Sequence, residues 1–187
     1  MNIERFKSAL STGGVRPAFF RVQGNIGKTT LPDKVGFLVK TAALPATEIG
    51  EIPVDYRGRT IKLPGKRTYG DWEITLLADG EFQLRNAFER WVNDLNDTVE
   101  NVADQEHNLN NVLFPNWSID QLDRRGNPIK TYTMFHCWPK AVSQIENTYD
   151  NEGLAEFSVT LAYSYFLTND GTGANRVPLG DAAFPGE

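Results

Sequence analysis

Five stretches of the chain hold residue types that could do chemistry. Gly24-Asn25-Ile26-Gly27-Lys28-Thr29 ends like a phosphate-cradling loop, but the spacing G-x-x-x-x-G-K-T needs glycine at position 22, which is Val22. A hairpin loop fits these residues better. The acidic run from Asp94 to Glu106 suggests a calcium loop, yet the sixth position counted from Asp94 is Val99, where glycine is required, and the twelfth is Gln105, where glutamate should stand. His107 and His136 are the two imidazoles, and neither has a second His, Cys or carboxylate at zinc-ligand spacing. His136 reads as a strand residue beside Cys137. The single cysteine cannot form an internal disulfide, and its place after Thr133 and Phe135 suggests one strand face and a buried structural thiol. Asp71 beside Trp72 could be a carboxylate tuned by an aromatic ring, but neighbours in a strand point to opposite faces, so a structural Asp entering the strand is expected. No catalytic, cofactor-binding or metal-binding residue is nominated, and the expected activity is not enzymatic.

The elements that would position such groups come from periodicity. A short helix is expected over Ile3–Leu10, then a Gly13-Gly14 break. Strands follow near Pro17–Gln23 and over Val35–Thr41, forming a hairpin across the turn-like Leu31-Pro32-Asp33. Pro45, Pro53 and Pro64 make the segment before Trp72 neither helix nor central strand, an irregular arm. Trp72, Ile74 and Leu76 alternate with Glu73 and Thr75 as a half-buried strand. Asp79 caps a helix whose Leu84, Phe88, Trp91 and Leu95 form one apolar stripe. Residues 96–128 are polar and Asn-rich, with an aromatic patch at Leu113-Phe114 and Trp117, and read as loop or insertion. Strands resume over Ile129–Trp138 and Lys140–Tyr149. After the turn at Asp150–Gly153, one strand carries Phe157, Val159, Leu161, Tyr163 and Tyr165 inward, with Glu156, Ser158 and Thr160 outward. The fold class is mainly β with α: an antiparallel β-sandwich or barrel-like subunit with one flanking helix.

Composition narrows the function classes. At 187 residues and 40% hydrophobic content the chain suits one domain with a real core. No apolar run approaches the roughly 18 to 20 residues of a membrane span, so no membrane anchor is expected. The start MNIERFKSAL lacks the apolar stretch of a signal peptide, which points to synthesis in a cytoplasm. Charge is uneven: residues 1–40 hold seven Lys or Arg against Glu4 and Asp33, while residues 81–120 hold Arg85 and Arg90 against eight acids. Opposed poles suit head-to-tail contacts between identical copies. A nucleic-acid binder should show a pI above about 9, whereas this pI is ≈ 5.1.

One run of residues carries a resemblance. Thr41-Ala42, Leu44-Pro45-Ala46, Ile52-Pro53-Val54, Arg59, Ile61, Gly65, Arg67-Thr68 and Asp71-Trp72, with Trp138-Pro139 and Phe157-Ser158-Val159-Thr160-Leu161-Ala162 through Tyr165, resemble the tail tube proteins of contractile-tailed bacteriophages. The resemblance covers roughly residues 1–168. An enlarged loop over about 96–130 and a Gly- and Pro-containing tail over 169–187, expected to be flexible, depart from it. It implies a virion subunit, assembled in a host bacterial cytoplasm. Hexameric rings would join their inner sheets into one barrel and stack into a hollow conduit, with sheath, baseplate and tail terminator proteins as partners. DNA would pass through without specific binding. On this basis Leu44, Pro45, Ile52, Pro53, Val54, Arg59 and Arg67 are expected on an inter-subunit arm, and Glu73, Thr75, Glu156, Ser158 and Thr160 on the lumen wall. The alternatives are a baseplate tube initiator or the inner tube of a contractile injection system. A carboxylate-dependent hydrolase on a β scaffold and a small-ligand module are more distant.

Overall fold

Alternation in the Trp72 strand sets the architecture. In the computed structural model, which describes residues 3–9, 14–29, 32–98, 113–146, 148–149 and 153–169, Trp72, Ile74 and Leu76 are buried while Glu73 is exposed. This strand, β5 (Trp72–Leu77), is preceded by α1 (Ile3–Ala9), β1 (Phe20–Gly24), α2 (Pro32–Leu38), β2 (Val39–Ala42), β3 (Thr47–Tyr56) and β4 (Arg59–Tyr69). After it come α3 (Gln83–Leu95), β6 (Trp117–Leu122), β7 (Pro128–Phe135), β8 (Trp138–Val142), β9 (Glu156–Ala162) and β10 (Tyr165–Asn169). All pairings are antiparallel. Sheet I has the order β2-β5-β9-β8 and sheet II the order β1-β6-β7-β10, while, among the described residues, β3 and β4 pair only with each other.

The two sheets face one another across a single apolar cluster. In sheet I, Trp72 lies opposite Leu161, Ile74 opposite Val159 and Leu76 opposite Phe157, so every inward position of the two central strands meets an apolar partner. Sheet II contributes Val22, Trp117, Ile119 and Met134. The rings of Trp72 and Trp117 meet edge-on at 6.0 Å across the gap. Helix α3 closes the cluster: Phe88 lies 6.2 Å from Trp117 and 6.3 Å from Phe157, touching both sheets. Its stripe of Leu84, Phe88 and Trp91 is buried as the spacing predicts, with Ala87 added and Leu95 half-buried beside it. The N-cap position is Phe82, left-handed at φ 54°, and not Asp79; from three residues upstream the Asp79 carboxylate accepts from the Gln83 N–H (3.2 Å) and the Leu84 N–H (3.4 Å).

Several expectations need correction. Of the strand expected over Val35–Thr41 only Val39–Thr41 is strand, in β2: residues 32–38 are helical, because Pro32 at the first position has its φ pre-set for a helix and gives up only a donor that would be unpaired anyway. The expected β1–β2 hairpin therefore does not form; β1 pairs with β6 and β2 with β5. Trp117–Leu122 is not loop but an internal strand of sheet II, and its turn into β7 is held by Asp123, whose carboxylate accepts from the Arg125 and Asn127 N–H groups. These backbone donors hold the Asp123 carboxyl below its usual range. The strand drawn through Tyr165 is two strands: β9 ends at Ala162 in sheet I, and β10 starts at Tyr165 in sheet II, where it pairs with Phe135. Tyr165 thus stacks on Phe135, 4.8 Å away, instead of facing inward with Phe157. The neighbouring β7-to-β8 passage crosses between sheets as well. There His136 has a left-handed φ of 56°, so it is a corner residue and not a strand residue. Beyond that corner Cys137 falls on the buried side, off the face of Thr133 and Phe135. The strand expected over Lys140–Tyr149 ends at Val142. Leu10, Gly13, His107, Asp150 and most of the tail lie outside the described residues.

Candidate assembly surfaces

The chemistry-bearing stretches fold into structural roles. Ile26 and Thr29 bridge across a tight turn whose Gly27, at φ 52°, packs on the Trp91 ring, which leaves no cradle for a phosphate. Cys137 is fully buried, and desolvation pushes its thiol up to about 12. Asp71 pairs with Lys140 at 2.6 Å. Among the described residues no three His, Cys, Asp or Glu side chains gather as a metal site, and no helix is long and apolar enough to cross a membrane.

The arm is regular, contrary to expectation. Strands β3 and β4 form a twisted ribbon closed by a two-residue turn, Arg57 and Gly58, both with positive φ (50° and 78°), the geometry that matches strand twist. Pro53 and Pro64 are tolerated because in a two-stranded ribbon each strand has one unpaired side. At the bulge near Ile49 the backbones come so close that a β-carbon at Gly65 would stand 3.0 Å from the Gly50 carbonyl oxygen. The register puts Ile52 opposite Leu63 and Val54 opposite Ile61, with Tyr56 next on the same face. These five side chains are 42–58% exposed. The other face is polar, with the Glu51–Lys62 ion pair at 2.8 Å and a Thr60–Asp55 hydrogen bond at 2.7 Å. Of the predicted arm residues, Ile52, Val54 and Arg59 share the apolar face and Pro53 the polar one. Leu44 and Pro45 lie in the link from β2, and Arg67 stands at the ribbon's root, lining a recess of about 260 Å³ with Tyr69 and Phe166. The Trp72 indole N–H donates to the Ala43 carbonyl at 2.6 Å and ties that link to the core.

The second predicted set comes together on the outward face of sheet I. Glu73 pairs with Thr160, Leu77 with Glu156, and Thr75 with Ser158, the two hydroxyls 3.2 Å apart. Sequence reasoning missed two members of this face. Lys40 crosses it from β2 to meet Glu156 at 2.6 Å, and Lys140 crosses it from β8 to meet Asp71 at 2.6 Å. These partners are 116 and 69 residues apart in the chain, so no spacing could have announced them.

The family described as phage tail tube protein matches residues 5–169. The tail tube protein gp19 of Enterobacteria phage T4 is 27% identical over 157 residues, covering 81% of this chain and 90% of that protein. In structure, a chain of the anti-feeding prophage baseplate superposes with a TM-score of 0.62 at 14% identity, covering 82% of this chain and 93% of the other. A chain of the sheath/tube terminator of the extracellular contractile injection system PVC gives 0.56 at 17% identity, covering 83% and 96%.

Proposed function

The chain belongs to the phage tail tube protein family and is a structural tube subunit, and we propose that its copies close into rings through sheet I and stack through the β3–β4 ribbon. The observation that carries this reading is the ribbon itself. It places Ile52, Val54, Tyr56, Ile61 and Leu63 on one exposed face, outside the subunit's core. A second copy is the occupant this face suits, since an apolar face that large on a soluble protein marks an interface. Six copies would make a hexameric ring, and joining sheets between copies would remove unpaired strand edges.

The outward face of sheet I would line the conduit. Among the described residues its charges are Asp71, Glu73 and Glu156 against Lys40 and Lys140, and both lysines are ion-paired within the face. Glu73 therefore carries the net charge of a wall that is hydrated, weakly repels DNA phosphates and does not grip them. Sheath, baseplate and terminator proteins are the partners, the outer surface needs no catalytic group, and the assembled site is the virion tail.

Negative-stain microscopy of the purified protein over a range of concentrations tests this function. Hollow tubes of uniform width are expected. Because Thr47 and Tyr69 are cross-strand partners, a short Gly-Ser link can replace residues 47–69 without stretching the chain. That variant should keep the melting behaviour of a folded subunit and form no tubes. Normal tubes from it would show that the ribbon makes no stacking contact.

A further inference from the structure

The four outer strands of the two sheets are not treated alike. In sheet II, β1 and β10 pair in unbroken register along their length. Helix α2 packs against β1 so closely that a β-carbon at Gly36 would lie 3.2 Å from the Val22 carbonyl oxygen, and β10 runs beside the root of the ribbon. In sheet I both outer strands are broken by a register shift at one residue, and both times that residue is lysine. The shift in β2 falls between Val39 and Thr41, at Lys40; the shift in β8 falls between Pro139 and Ala141, at Lys140. Each lysine then spans one intervening strand, Lys40 to Glu156 at the start of β9 and Lys140 to Asp71 just before β5, with both side chains about half-exposed. Pro139 removes a further donor from β8. Bulges, lysines and proline are the devices by which exposed strand edges are kept from pairing.

We infer that Lys40 and Lys140 are edge guards that hold back pairing between free copies, so that tube growth of the purified chain sets in only above an onset concentration, where a nucleus can form. This rests on the proposed closure through sheet I and adds its regulation. An incoming strand must displace an ion-paired ammonium from the outward face and straighten a bulge before the hydrogen-bond ladder can run across the junction. A preformed ring supplies many such contacts at once, whereas two free copies supply one.

The test compares the full chain with K40T/K140T and K40R/K140R. Thermal melts first establish that all three are folded, and sedimentation and electron microscopy then give the concentration at which association begins. Removing both charges should lower that concentration at least tenfold, or start association where the unaltered chain stays monomeric. The arginine pair should behave like the unaltered chain. An unchanged or raised onset in folded K40T/K140T overturns the guard role. A T41C/A141C variant, with one thiol on each outer strand of sheet I, separates this from the closure it rests on. Oxidation above the association onset should yield a ladder of linked copies. A ladder without an onset shift removes the guards and leaves the closure standing; no ladder removes both.

Discussion

Gly27 and Trp91 are locked together: with φ at 52°, a β-carbon on residue 27 would stand 2.7 Å from the indole Cδ1. The indole N–H in turn donates to the Leu113 carbonyl at 2.9 Å, so the ring has little room to withdraw. Gly27→Ala should cost about 2 to 4 kcal/mol, combining left-handed backbone strain with overpacking. Urea unfolding checks this, and a loss below about 0.5 kcal/mol would mean that the turn relaxes freely.

Trp72 joins the core to the arm through its hydrogen bond to Ala43. Trp72→Phe should destabilise the subunit by about 1 to 3 kcal/mol through a smaller ring and an orphaned carbonyl. Hydrogen exchange should quicken at residues 43–46 more than in α3. Uniform quickening would assign the effect to the core alone.

Asp120 is the buried charge of sheet II, with a side chain 6% exposed. One oxygen accepts from the Arg21 guanidinium (2.7 and 3.2 Å) and the other from the Thr131 hydroxyl (2.7 Å). Arg21 is half in solvent, so the pair is worth less than a wholly buried one. Asp120→Ala should cost about 1 to 3 kcal/mol by denaturant titration.

The Cys137 thiol, raised by burial from 9.0 to about 12, should resist disulfide reagents at pH 8 in the native protein and react once unfolding exposes it. Because the folded value is the raised one, its contribution to stability is complete below pH 9 and falls away as pH climbs toward 12. The stability difference between the native chain and Cys137→Ala should narrow or reverse over that window; a constant difference would place the thiol in solvent.

Much of this was legible in the chain. The i, i+2 alternation around Trp72 and Phe157 and the Leu84-Phe88-Trp91 stripe identify core faces because burial acts on one residue at a time. The Trp117 strand was hidden because Ser118, Asp120 and Gln121 break the apolar signal, and Asp120 becomes a good strand residue only once Arg21 and Thr131 stand beside it. The prolines of the arm warned against a central strand correctly but concealed a ribbon, since a two-stranded ribbon can hold residues that a sheet interior rejects.

The sequence by itself determined the core faces of β5, β9 and α3 and the family to which the chain belongs. Tertiary structure alone decided that one run of alternating residues divides between two sheets at Tyr163–Ser164, and that Lys40 and Lys140 meet acids far away in the chain. The physical reason is the range of the forces: hydrophobic periodicity is written in neighbouring residues, whereas strand partners, sheet edges and ion pairs exist only after distant segments have been brought side by side.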